Sequence, residues 1–262
     1  MSFLQQVSVL ILTFNEAPNI GRTLDALTAF PVVAMLDSGS TDDTLAIAGR
    51  YPNVRVCHRP FDNHSAQWNH GLAACELQRD WVLALDADYV LPANLVNEIA
   101  ALAPSADVAG YSTAFTFWIL GQPLTRSLYP PVTTLFRRAA AHYEQDGHSQ
   151  RVKLAGAVLS LSGRIAHDDR KPLTHWLAAQ DRYARLECEL LLSKPWSALS
   201  WRDRLRRMKF ITPWLVPLYC LTVGRGLLDG RAGLYYALQR GVAEAVLSLK
   251  LIEAAWQAQR LK

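Results

Sequence analysis

Three continuous apolar runs, each ending in polar and acidic residues, limit this chain to few folds. They are VSVLILTFNE (7–16), VVAMLDSGSTDD (32–43) and WVLALDADY (81–89). A strand with one face in water alternates, whereas a strand covered on both faces stays apolar throughout, as in a parallel sheet with helices on either side. Helical stretches are predicted between the runs. Pro18 suits the first turn of a helix reaching about Phe30, and Ser40 and Asp43 have capping-box spacing ahead of TLAIAGRY. Residues 65–77 read as a third helix, and Pro92 opens a fourth. Strand and helix in alternation make a βαβ rhythm, and such sheets bind ligands beyond the carboxyl ends of their strands.

All three runs place their polar residues at that end: Thr13, Asn15 and Glu16, then Asp37, Ser38 and Ser40, then Asp86 and Asp88. Helix caps and turn formers account for Ser40 and Asp42 as well as a ligand does. Acids converging on one edge repel, and a cation resolves the conflict. Carboxylate oxygens without a neighbouring Cys favour a hard ion, Mg2+ or Mn2+, held together with substrate phosphates. A P-loop is absent, as is a GxGxxG after the first run, so neither phosphate cradle applies.

Of the 262 residues half are hydrophobic and 19% charged, enough apolar material for a packed core. Cys57, Cys75, Cys188 and Cys220 form no CxxC pair, which argues against a zinc site and fits a reducing compartment. The N-terminus has no basic lead-in or small-residue cleavage site, and no run reaches about 18 uninterrupted apolar residues. The net charge of +4 is uneven. Residues 201–262 hold 11 Lys and Arg against 4 Asp and Glu, while the first 200 hold 16 against 19. SWRDRLRRMKF (200–210) carries five basic residues among aromatics, and the apolar ITPWLVPLYCLTV (211–223) is broken by prolines. Beyond Leu234 a helical stripe is predicted through Leu238, Val242, Val246, Leu249, Ile252 and Trp256. Residues 200–262 therefore read as a basic amphipathic extension that lies on an anionic membrane surface. Packing of the stripe on the catalytic body or on a second copy is the competing reading. The basic run comes with no nucleic-acid motif, and no nucleic acid partner is expected.

With ILTFNEAPNIGRTLDAL, LDSGSTDDT and LDAD in this order, the chain resembles a family-two glycosyltransferase of the GT-A fold over roughly residues 5 to 190. It is most like bacterial lipopolysaccharide core β-1,4-glucosyltransferase enzymes, whose tail LLDGRAGLYYAL also recurs here. The resemblance implies an α/β catalytic domain, with a Rossmann-like, mostly parallel sheet flanked by helices, over residues 1–195. The nucleotide-sugar half would be 1–105 and the acceptor half 106–195, followed by the extension 196–262. It implies a nucleotide-sugar donor, usually a UDP-sugar, with Asn15 and Glu16 along the nucleoside and Thr13 and Phe14 supporting them. Asp37 would bond the base, Ser38 and Asn69 would lie near the nucleotide, and Asp86 would reach the ribose or a metal-bound water. Asp88 would hold the metal. A late His closes that site in several such enzymes, and His167 stands there. Arg170 and Lys171 would meet the diphosphate. Tyr89 replaces an acid that many relatives carry after LDAD.

Inversion needs a base for the acceptor's proton, and the resemblance places it in TLFRRAAAHYEQDGHSQRV (134–152), read as a strand, two basic residues and a polar loop. Ser149 stands where relatives carry the acid, so Asp146 is the expected base and Glu144 the second choice. His148, Trp176 and Tyr183 are candidates for acceptor contact. The expected function is an inverting, metal-dependent sugar transfer to a lipid-linked or lipopolysaccharide acceptor, on the cytoplasmic face of a bacterial inner membrane. The alternatives are transfer to polyprenyl phosphate or a soluble acceptor, and a non-catalytic sugar-nucleotide scaffold. A homo-oligomer through the C-terminal helices also fits the pattern.

Overall fold

The three apolar runs form β1 (Val7–Thr13), β2 (Val32–Asp37) and β4 (Trp81–Asp86), with β3 (Val54–His58) beyond β2. The structure is a computed structural model that describes residues 2–146 and 149–260, with the backbone alone at Asp146 and Ser149. The sheet continues with β5 (Tyr89–Val90), β6 (Val108–Ile119), β8 (Val132–Arg137) and β11 (Ala157–His167), in the order β3-β2-β1-β4-β8-β6-β11-β5. A short strand, β7 (Gln122–Pro123), follows β6. The β1–β2, β1–β4, β2–β3 and β6–β11 pairings are parallel, and β4–β8, β6–β8 and β5–β11 are antiparallel. The sheet is thus mixed, with a parallel half built from the apolar runs.

Those runs are apolar throughout because both faces are covered. Val7, Val9 and Ile11 of β1 and Trp81, Leu83 and Leu85 of β4 enter one core cluster. Leu10 of β1 and Val82 and Ala84 of β4 enter the cluster on the other face. The first cluster takes up α1 (Ile20–Asp25) and α4 (Ala93–Ala100) through Ile20, Leu24, Leu95 and Ile99. The second takes up α3 (His64–Ala74) through Trp68 and Leu72. The approach of α3 is close: a Cβ on Gly71 would fall 2.8 Å from a methyl of Leu10. Cys57 and Cys75, distant in sequence, share this second cluster, and burial together with Cys57 raises the Cys75 thiol above its ordinary range.

Three local expectations need correction. The first helix ends at Asp25, and the chain then turns so that Leu27 and Phe30 reach the core. The box expected of Ser40 and Asp43 does not form ahead of α2 (Thr44–Ala48), since Asp43 makes no side-chain cap bond. Asp42 instead accepts the backbone N–H of Thr44 at 3.0 Å and of Ala17 at 3.0 Å. The polar loop expected after β8 is a two-stranded sheet of β9 (Ala141–Asp146) and β10 (Ser149–Leu154). It forms because Tyr143, Val152 and Leu154 turn apolar faces onto the second cluster.

Contact clustering divides the chain into two units. The first comprises residues 1–118, 129–145 and 149–170, and the second comprises 119–128, 146–148 and 171–262. The second is helical: α5 (Leu173–Ser193), α6 (Trp201–Arg207), α7 (Thr212–Leu221) and α8 (Gly230–Arg260), with a 3-10 turn at Gly226–Asp229. Ala184, Cys188 and Leu191 of α5 pack with Leu247 and Leu251 of α8. Arg206 of α6 reaches the buried Glu244 at 2.9 Å and Glu187 at 3.3 Å. Near its start α8 meets the 3-10 turn so closely that a Cβ on Gly233 would lie 2.0 Å from the Gly226 carbonyl. Most of the predicted stripe on α8 is not the packed face: Leu238, Val242, Leu249 and Trp256 are exposed and Val246 packs against the core, whereas Gly233, Ala237, Glu244, Leu247 and Leu251 are buried. Among the described residues no helix is long and apolar enough to cross a membrane.

Candidate active site

Strand register brings the acids to one edge. Thr13 lies opposite Asp37 and Leu12 opposite Asp86, so β1, β2 and β4 end level. Asp37 is fully buried there and accepts four hydrogen bonds, from Thr13 Oγ1 at 3.0 Å, Ser40 Oγ at 2.5 Å, and the N–H groups of Gly39 at 2.9 Å and Ser40 at 2.8 Å. Its carboxylate therefore holds the turn after β2. Ser38 accepts from the buried Gln67 amide at 2.9 Å, and Gln67 in turn accepts from Arg59.

The turn after β1 is laced to the same loop. Asn15 adopts a left-handed backbone (φ 53°), which Asn tolerates better than most residues. Its N–H donates to Ser40 Oγ at 2.9 Å and its side-chain oxygen accepts from the Thr41 N–H at 2.8 Å. The Glu16 N–H donates to Thr44 Oγ1 at 2.7 Å. Phe14 stands half exposed at the rim.

Asp88 meets His167: Nε2 of the imidazole lies 2.9 Å from Oδ2 of the carboxylate. The pairing of His167 with Tyr89 across β11 and β5 puts them there. The rings of Tyr89, Phe117 and Tyr129 surround the imidazole at 5.0, 4.2 and 5.8 Å. Burial pushes the His167 pKa down, but the Asp88 charge and hydrogen bond, with Asp86 and Asp169 behind them, outweigh it and raise it. His167 Nδ1 is buried and has no hydrogen-bond partner among the described residues. Asp86 is close enough to add its field to both His167 and Tyr143, whose hydroxyl burial and that charge push far up. In kind, two carboxylates and an imidazole fit a hard divalent cation. Among the described residues no three such groups yet converge as a metal cluster.

A polar network that sequence reasoning missed braces this corner. Arg22 of α1 binds Asp168 at 2.6 Å, and Arg170 shares the same carboxylate at 2.9 Å. The buried Asn19 donates to Glu16 and to Asp169, both at 2.9 Å, and accepts from the Arg170 N–H at 2.9 Å. Thr23 Oγ1 donates to the Ala87 carbonyl at 2.7 Å, and the Asp168 N–H to the Asp88 carbonyl at 3.1 Å. The only sequence signal was Asn19 and Arg22 at helical spacing, with HDDR some 150 residues later.

The remaining candidates are dispersed. Asn69 turns to protein backbone, donating to the Tyr143 carbonyl and accepting from its N–H, both at 2.9 Å. Glu144 is exposed beside Lys153 at 3.6 Å. The Asp146 side chain and His148 lie outside the described residues. Lys171, Trp176 and Tyr183 belong to the second unit, the last two half-buried on α5. A cavity within that unit, lined by Arg126, Tyr219, Asp229 and Tyr236 among others, contains none of the rim acids.

Comparison with known proteins gives the fold and the family. A crystal structure of S. aureus TarS 1-349 in complex with UDP-GlcNAc matches 97% of this chain and 92% of that chain, with a TM-score of 0.52 at 16% identity. That is a likeness of fold, and the shared fold is the GT-A arrangement. The lipopolysaccharide core biosynthesis glycosyltransferase LpsC of Rhizobium meliloti (strain 1021) is 23% identical over 197 residues, 70% of each chain. An uncharacterized glycosyltransferase of Rickettsia felis is 34% identical over 97 residues, 37% of this chain, which spans about a third (33%) of that relative's length. Residues 8–150, more than half of the chain, match the family model described as glycosyl transferase family 2, and the chain belongs to that family.

Proposed function

We propose that the chain transfers a sugar, with inversion, from a nucleotide sugar of the UDP-hexose kind to a lipid-linked or lipopolysaccharide acceptor on the cytoplasmic face of a bacterial inner membrane. The observation that carries this is the level rim of β1, β2 and β4, with Asp86 at its edge and Asp88 facing His167 at 2.9 Å. Membership of family two and the likeness to LpsC support the reaction type and the class of acceptor.

The turn after β1, Thr13 to Glu16, lines the nucleoside, and Asp37 acts by fixing that turn and the 38–40 loop against each other. Asp86, Asp88 and His167 would hold Mg2+ or Mn2+, which when bound supplies Lewis-acid stabilisation of the departing diphosphate. To take part, His167 would have to give up the proton it shares with Asp88 and would keep its remaining ring proton on Nδ1. Arg170 is held out at the rim through Asp168 and offers N–H donors to the diphosphate. Lys171 on the diphosphate, and His148, Trp176 and Tyr183 on the acceptor, carry over from the sequence pattern. Asp146 at the end of β9 takes the acceptor's proton as its oxygen attacks the anomeric carbon and the nucleoside diphosphate leaves; Glu144 is second in line.

Thermal shift against a panel of nucleotide sugars, with and without Mn2+, tests the donor site. Stabilisation by UDP-sugars that requires the ion is the expected outcome, and Asp88→Ala should erase the ion's effect. Asp146→Ala should leave the donor shift intact and lower transfer of radiolabelled sugar at least a hundred-fold, the range of a lost general base. Indifference of the melting curve to every sugar and ion defeats the donor-site assignment. Undiminished transfer by Asp146→Ala moves the base to Glu144 or another group.

A further inference from the structure

The second unit carries more bare apolar surface than a solvated helical bundle needs. Trp214 is 79% exposed, Leu228 76%, Phe210 70%, Leu227 68% and Leu218 58%. Large apolar residues scattered singly are ordinary, but a contiguous run marks an interaction surface. These fall within one short stretch of the chain, residues 210–228. On α7 the inner side lays Pro213 and Pro217 against Gly241 of α8, while Trp214, Leu215 and Leu218 fall on the outer side at helical spacing. Leu227 and Leu228 follow on the 3-10 turn that leads into α8.

Charge identifies the occupant. Arg202, Lys209, Arg225 and Arg231 flank this run, and none makes an ion pair among the described residues. The acids of the same stretch already have partners: Asp203 accepts from Ser200 and Asp229 from Thr125, each half-exposed, and Glu244 is buried against Arg206. The surface shown outward is thus apolar at its centre and cationic at its margin. A second copy of the chain would bring those cations against their own kind. An anionic bilayer would take the cations at its headgroups and the Trp and Leu side chains below them. Ten residues of α7 extend about 15 Å, half of a hydrocarbon core of roughly 30 Å, so the helix cannot cross and must lie in the interface.

We propose that the outer side of α7 and the Gly226–Asp229 turn form an interfacial docking surface for a bilayer rich in anionic lipid. The proposal rests on the membrane placement of the reading above and names the surface that would make it, but it does not use the rim site, so a failure to bind vesicles leaves the donor-site test untouched. The test is flotation of the full chain with vesicles of phosphatidylcholine alone and of phosphatidylcholine with phosphatidylglycerol, without donor or acceptor. Binding to the anionic vesicles, weakened by salt and accompanied by a blue shift of tryptophan emission, is expected. The double substitution Arg225→Glu and Arg231→Glu should weaken it at least 25-fold, about five-fold per cation near an anionic surface. Leu227→Ser with Leu228→Ser should weaken it about a hundred-fold, roughly ten-fold for each leucine half buried in the interface. Both leucines are so exposed that the thermal melt should not move, and an unchanged melt certifies the fold of each variant. Failure to bind either vesicle, or binding that ignores all four substitutions, overturns the proposal. So does a chain that dimerises in sedimentation velocity through Leu227 and Leu228 while leaving vesicles alone, which assigns the surface to a second copy.

Discussion

Asp42 shows how a single carboxylate sets the rim in place. It accepts the Ala17 N–H from the turn after β1 and both the N–H and the hydroxyl of Thr44 at the start of α2. Burial pulls its pKa up, and the hydrogen bonds from Thr44 and Ala17 outweigh that and hold it below the usual carboxylate range. The stabilisation is therefore complete above that range and is lost as pH falls through the lowered pKa. Asp42→Ala should cost about 1 kcal/mol at neutral pH, the loss typical of an N-cap acceptor. In urea melts the gap from the parent chain should close as pH drops below about 4. Asn69 makes the second residue-scale case, since it clamps the backbone at Tyr143, three residues before the proposed base. Asn69→Ala should spare the donor-induced thermal shift and lower turnover by up to about a hundred-fold, as a displacement of about 1 Å does. Neither role could be read from the sequence. Both are made with partners chosen by the fold: Ala17 lies 25 residues from Asp42, and Tyr143 lies 74 from Asn69.

At the scale of elements, legibility followed the range of the forces involved. The strands β1, β2 and β4 were plain because burial on both faces writes itself into every residue of the run. The first helix was overdrawn, because its apolar periodicity continues to Phe30 while the backbone turns at Asp25 to seat Leu27 and Phe30 in the core. Strands β9 and β10 were hidden by their polar outer faces. On α8 the period was legible and the direction was not, since an apolar stripe records that a face exists and not what covers it. The packed face is fixed instead by Gly233, Ala237 and a buried ion pair. Burial pulls the Arg206 guanidinium down, and Glu244 and Glu187 more than restore it. Arg206→Met should leave Glu244 buried without its cation and destabilise the helical unit by roughly 3–5 kcal/mol in denaturant melts. Joint replacement of Arg206 and Glu244 by apolar residues should recover most of that loss.

At the scale of the molecule, a family-two sheet in one unit is continuous in sequence with a helical unit that wears Trp214 and Leu228 outward. An enzyme held at an interface by such a surface meets its acceptor in two dimensions. Its rate then follows the mole fraction of acceptor in the film and not the amount in the tube. Spreading a fixed quantity of acceptor glycolipid through increasing inert phosphatidylglycerol should slow transfer in proportion, while a water-soluble acceptor analogue should be turned over at a rate blind to added lipid. Tryptophan and leucine side chains that take no part in the chemistry thus decide which concentration the reaction obeys.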